Sequence, residues 1–129
     1  MKKYVLFLAT LLTMMACQES LEEKAANEAK TYTRKNCPVT LSASIVLDSM
    51  TFDKNTHTFG YHYTMRGEMD TISAIEPDRM RKQLLDGVKN MTAAKAYMDK
   101  GYGFRYVYHS EKEPAKVLFE TLFTEEDYK

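Results

Sequence analysis

The sequence predicts an α+β fold of two layers, with two helices packed on a four-stranded sheet in the order α-β-β-α-β-β. Three observations carry that expectation. Two segments repeat apolar residues at helical spacing behind a capping signal. Four segments alternate side chains with the period of two that a half-buried strand requires. The joins between them are short and rich in Asp, Asn, Lys, Glu and Gly.

The first helix spans about residues 20–35. Ser20 and Glu23 stand in capping-box spacing, so each can satisfy an amide of the first turn. Leu21, Ala25, Ala29 and Tyr32 recur on one face, and Asn36 with Pro38 ends the helix. The first strand lies in VTLSASIVLDS, where Val39, Leu41, Ala43, Ile45 and Leu47 alternate with small polar residues. Asp53-Lys54-Asn55 is a turn. The second strand, HTFGYHYTM, sets His57, Phe59, Tyr61, Tyr63 and Met65 on one face and Gly60 and His62 on the other, so the two strands form a hairpin. Gly67 ends it. The pattern leaves MDTISA open between a bulged strand and a loop.

The second helix opens at Glu76-Pro77-Asp78, with Pro77 at its first position, and runs to about residue 100. Met80, Leu84, Val88, Met91 and Met98 form its apolar stripe. Gly87 costs such a helix ~1 kcal/mol against Ala, so the expected use is close packing on the sheet. The third strand, GFRYVYH, places Phe104, Tyr106 and Tyr108 opposite Arg105, Val107 and His109. The fourth, KVLFETLF, sets Val117, Phe119 and Phe123 on one face, and Thr124 caps a terminal turn. The strands flanking the second helix should be parallel if they are neighbours. They share Phe-x-Tyr-x-Tyr, at 59–63 and 104–108, which reads as one aromatic face offered twice to the same helices.

Composition bounds the function. The 129 residues are one domain's worth of chain, with 18 basic and 18 acidic side chains. That balance offers no charge excess for nucleic acid. Lys2 and Lys3 precede Tyr4–Met15, an uncharged run whose helical length of about 18 Å falls short of a ~30 Å hydrocarbon core. It has the length of a signal peptide's apolar region.

The residues Met14-Met15-Ala16-Cys17 follow, and then polar QESLEEK. This arrangement resembles the signal peptide and lipobox of bacterial lipoproteins. The resemblance covers residues 1 to about 20. It implies cleavage before Cys17, palmitate-type acylation of the Cys17 thiol, and a mature chain attached to a membrane through that lipid. Residues 1–16 are then the signal peptide, 17–19 a short lipidated tether, and 20–129 a single domain. Loss of Lys2 and Lys3 leaves a net formal charge of −2. Charge alone does not hold such a chain on an anionic membrane, so the lipid must. Gln18 stands where an Asp would, in some bacteria, retain a lipoprotein in the inner membrane. By that resemblance the location is the cell envelope, with the outer membrane favoured in a two-membrane cell.

With Cys17 acylated, Cys37 has no partner within the chain. It is then a buried thiol, half of an intermolecular disulfide, or a reactive group. No serine stands in Gly-x-Ser-x-Gly, and no glycine-rich phosphate loop appears. His62 and His109 share the non-aromatic face of their strands, but no His-x-His pair or carboxylate spacing supports a metal. No catalytic residue or cofactor is assigned. The sequence therefore reads as a binding module for an envelope protein or component, with Arg105, His62 and His109 on an open sheet face as the residues facing a partner. Two alternatives stand: a small enzyme or accessory subunit using Cys37 or a histidine, and a carrier of a small ligand on the Tyr-rich face.

Overall fold

The structure is a computed structural model, and residues 19–129 are described. The expected signal peptide and Cys17 lie outside them. Helix α1 is Leu21–Asn36, and the side chain of Ser20 accepts from the Glu23 amide at 3.1 Å, as a cap should. Strands β1 (Val39–Thr40), β2 (Ile45–Asp53) and β3 (Thr58–Met65) follow. Helix α2 (Pro77–Lys89) and the short helix α3 (Lys95–Asp99) come next. Strands β4 (Gly103–Ser110) and β5 (Val117–Phe123) and the terminal helix α4 (Glu125–Tyr128) complete the chain.

The α+β class holds: the described residues form a five-stranded mixed sheet in the order β1-β2-β3-β4-β5 and four helices, in place of the expected four strands and two helices. The added strand comes from the single run expected at 39–47. That run folds back on itself, with Val39 opposite Leu47 and Thr40 opposite Val46. The reversal is held by the amides of Leu41 and Ser42, which both donate to the Ile45 carbonyl. Small serines at 42 and 44 suit a tight turn as well as they suit a strand.

The expected second helix, 77–100, breaks at Asn90. The Asn90 side-chain amide donates to the Asp86 carbonyl at 2.8 Å, and its backbone amide reaches the same oxygen. A side chain that bonds the preceding turn competes with helix continuation. The chain passes through a 3-10 turn, Thr92–Ala94, before α3 turns Tyr97 into the core. Gly87 is not a close-packing site: a Cβ there would meet nothing within 4 Å. MDTISA is neither strand nor featureless loop. It contributes to two 3-10 turns, Gly67–Met69 and Ile72–Ala74, after Gly67 ends the strand with φ of +59°.

Strands β2 and β3 form the expected antiparallel hairpin, and β3 and β4 are parallel. The parallel register sets Phe59 beside Phe104, Tyr61 beside Tyr106 and Tyr63 beside Tyr108. Each pair stacks, with ring centroids 5.8, 4.8 and 4.4 Å apart. These rings form the floor of one core that also takes Ala25 of α1, Val88 of α2 and Tyr97 of α3. Burial raises the Tyr63 phenol to about 12 and pushes those of Tyr61, Tyr106 and Tyr108 up further, so this face stays uncharged. In β5 the expected inward Val117 is 41% exposed. A register shift between Tyr108 and His109 brings Leu118 into the core in its place.

Candidate functional site

The opposite face of the sheet carries the residues singled out from the sequence. His62 of β3 and Arg105 and His109 of β4 do come together there. The two imidazoles lie 6.1 Å apart at an interplanar angle of 23°. His62 sits over Gly60, where a Cβ would come within 3.1 Å of its Nε2 and 2.5 Å of Thr51 Oγ1. The missing side chain lets His62 Nε2 pair with Thr51 Oγ1 at 3.2 Å. Burial, and then the neighbouring His109, hold the His62 imidazole below its ordinary range. His109 Nδ1 is buried without a hydrogen-bond partner. Arg105 is engaged by Glu120 on β5, with Nη1 to Oε1 at 2.5 Å, and Thr64 donates to Asp48 at 2.5 Å. The charges on this face are thus largely matched within it. Among the described residues no group of three or more His, Cys, Asp or Glu side chains is placed to hold a metal ion.

The sequence reading missed a second site. Where α2 crosses the end of the sheet, an open groove of about 390 Å³ lies between Met80 and Leu84 of α2 and Ile45, Met65 and Tyr108 of the strands. The 3-10 segment closes one side with Met69 and Ile75, and Glu76, Arg79 and Gln83 stand at the rim. Three methionines from three different elements line it, and thioether side chains adapt to differently shaped apolar partners. Nearby Ile72 is 57% exposed.

A carboxylate fixes the segment that walls the groove. Asp70 is buried, and its Oδ2 accepts from the Lys112 amide at 3.0 Å. The neighbouring Ser110 side chain, then the Lys112 amide, hold the carboxyl below the usual carboxylate range. Met65 and Met69 were visible as a pair four residues apart. The groove they line forms only where α2 brings Met80 and Leu84 against them.

Cys37 carries a free thiol, half-buried at the C-cap of α1. Burial, then the Asp48 carboxylate, push its pKa up, the opposite of what an activated nucleophile requires. No helix among the described residues is long and apolar enough to cross a membrane.

Three solved structures share this fold. One is a Pseudomonas aeruginosa protein described as a candidate secreted protein, at 17% identity and a TM-score of 0.68, spanning 87% of this chain and all of that one. The second is the type II secretion pilotin EpsS of Vibrio vulnificus, at 13% identity and a TM-score of 0.67, over 84% of this chain and 92% of that one. The third is the type II secretion pilotin AspS of Vibrio cholerae, at 16% identity and a TM-score of 0.62, over 88% and 97%. At these identities the likeness establishes the fold alone. No curated protein matches the chain. A family model does, over residues 20–119, and the chain therefore belongs to the family described as a domain of unknown function, DUF8479.

Proposed function

We propose that this protein is a lipid-anchored cell-envelope module that works by binding another envelope protein, in the manner its pilotin neighbours suggest. The observation that carries this reading is the pilotin-like fold over more than four-fifths of the chain, and an N-terminal segment that resembles a lipobox leader supports it. Cys17 is the acylation site in this reading, and the outer membrane is the favoured location. The partner is a component of an envelope secretion assembly.

The partner's apolar side chains seat in the methionine-lined groove. The open face of His62, Arg105 and His109 is more fully matched within itself and is the second contact surface. The test is co-purification of the acylated protein with a stoichiometric envelope partner. Met80→Glu should abolish recovery of that partner while far-UV circular dichroism stays unchanged. Retention by Met80→Glu with loss by Arg105→Glu would move the contact to the open face. Retention by both variants would sink the reading.

The groove also favours a second reading, carriage of a small apolar ligand, because its volume lies within the range of small-molecule sites. Native mass spectrometry of the protein from its own membrane separates the two. A bound small molecule lost in Met80→Glu supports carriage.

A further inference from the structure

Between Cys17 and the first turn of α1 stand only Gln18, Glu19 and the cap Ser20. Three residues reach about 10 Å at full extension. Helix α1 is itself fixed to the domain along its length. Glu22 meets His57 Nε2 at 3.1 Å, and Glu28 accepts from the Tyr97 hydroxyl at 2.7 Å. Ala25 and Ala29 are buried, and the Thr33 hydroxyl bonds the Met50 backbone.

The first turn of α1 thus lies at one identifiable end of the sheet. His57, which pairs with Glu22, occupies the β2–β3 turn with φ of +51°, and its ring stacks on Tyr102 at 4.7 Å. Its carbonyl accepts from Gly103 at 2.9 Å. The turns 54–57 and 99–102 therefore sit beside the start of α1. The groove is lined by Met65, at the other end of β3. Seven strand steps separate Thr58 from Met65, about 23 Å.

We propose that the short tether and the fixed helix together orient the domain on its membrane. The end formed by turns 54–57 and 99–102 faces the lipid headgroups, and the groove opens away from them. This rests on the lipid-anchoring reading above. Attraction of charge to the headgroups is not the cause. Glu19, Glu22 and Glu23 crowd the anchored end, and anionic lipid would repel them. The constraint is mechanical, and the orientation should be indifferent to salt.

Lysines supply the probe, since Lys54 and Lys100 are exposed at the near end and Lys112 and Lys116 in the β4–β5 turn at the far end. The acylated protein is reconstituted in phosphatidylcholine vesicles and treated with a membrane-impermeant amine reagent, and each site is read by mass spectrometry. A variant with ten Gly/Ser residues inserted between Gln18 and Glu19 is the comparison. Lys54 and Lys100 should react several-fold more slowly in the native protein than in the variant, at low and high salt alike. Lys112 and Lys116 should react equally in both. Equal reactivity of Lys54 and Lys100 in the two proteins overturns the orientation, as does protection of the far lysines instead. The intact mass of the same sample separates the two failures. If no acyl chains are present, the anchoring reading falls and takes the orientation with it.

Discussion

The Thr33 hydroxyl accepts a hydrogen bond from the Met50 amide at 2.9 Å and donates one to the Met50 carbonyl at 2.8 Å. One side chain of α1 thereby satisfies both backbone groups of a residue on the outer side of β2, beyond the two-residue strand β1. Unpaired strand edges are templates for aggregation, and covering them with a helix is one way to blunt them. Replacing Thr33 by Val keeps the shape and removes both bonds. The expected cost is ~1–3 kcal/mol, because two part-buried backbone groups lose their partner. Thr33→Ser should recover most of it. Urea denaturation of the three proteins measures both effects.

Gly87→Ala should stabilise the protein by ~0.5–1 kcal/mol, since the added methyl meets nothing and α2 gains helix propensity. A thermal melt reads the gain. A loss of stability would show that Gly87 has a packing role after all.

The Tyr63–Tyr108 stack is the tightest of the ladder, at 4.4 Å and 7°. A double-mutant cycle with Leu at both positions should give a coupling of ~0.5–1.5 kcal/mol. A coupling near zero would mean that the rings contribute only their buried area.

Asp70 sets an acid limit. Its carboxyl is held below the ordinary range in the folded state. Its contribution is complete above the unfolded value of about 3.9 and is lost as pH falls through the folded one. Hydrogen exchange of residues 66–76 should accelerate selectively below about pH 4. Asp70→Asn should loosen the same segment at neutral pH and flatten the acid dependence.

His62 acts on a higher window. Its folded pKa lies below the ordinary value of about 6.5, so the unfolded chain takes up the proton first and stability falls as pH drops through that value. His62→Gln should reduce the difference in melting temperature between pH 7.5 and pH 5. An unchanged difference would assign the pH dependence to other groups.

The elements legible in the sequence were those whose pattern was local. Ser20 announced the start of α1, and the alternation in FGYHYT and FRYVYH announced two strands sharing one core face. The helix between them made the pair parallel if they were neighbours, and they are. The elements that escaped were decided at a distance. A run of alternating small residues at 39–47 reads equally as one strand or as two joined by a turn. Only the pairing of Val39 with Leu47 decides it. Helix 77–100 kept its apolar stripe across Asn90, so periodicity did not mark the break. The groove could not be read at all, since Met65, Met69 and Met80 converge only after the fold is complete. His62, Arg105 and His109 were placed together correctly, but the matched pair Arg105–Glu120 depends on a strand register that spacing does not reveal.

The parallel aromatic ladder also bears on how the chain folds. Each rung joins residues 45 positions apart, whereas β2–β3 and β4–β5 are local hairpins. Closing the long loop costs entropy before any rung returns it. The entropy cost of closure therefore falls on the central seam rather than on either hairpin. Ladder substitutions should then slow refolding when the seam is part of the transition state, and speed unfolding when it forms afterwards. The seam between β3 and β4 is where this small domain commits to being one cooperative unit rather than two loosely associated halves.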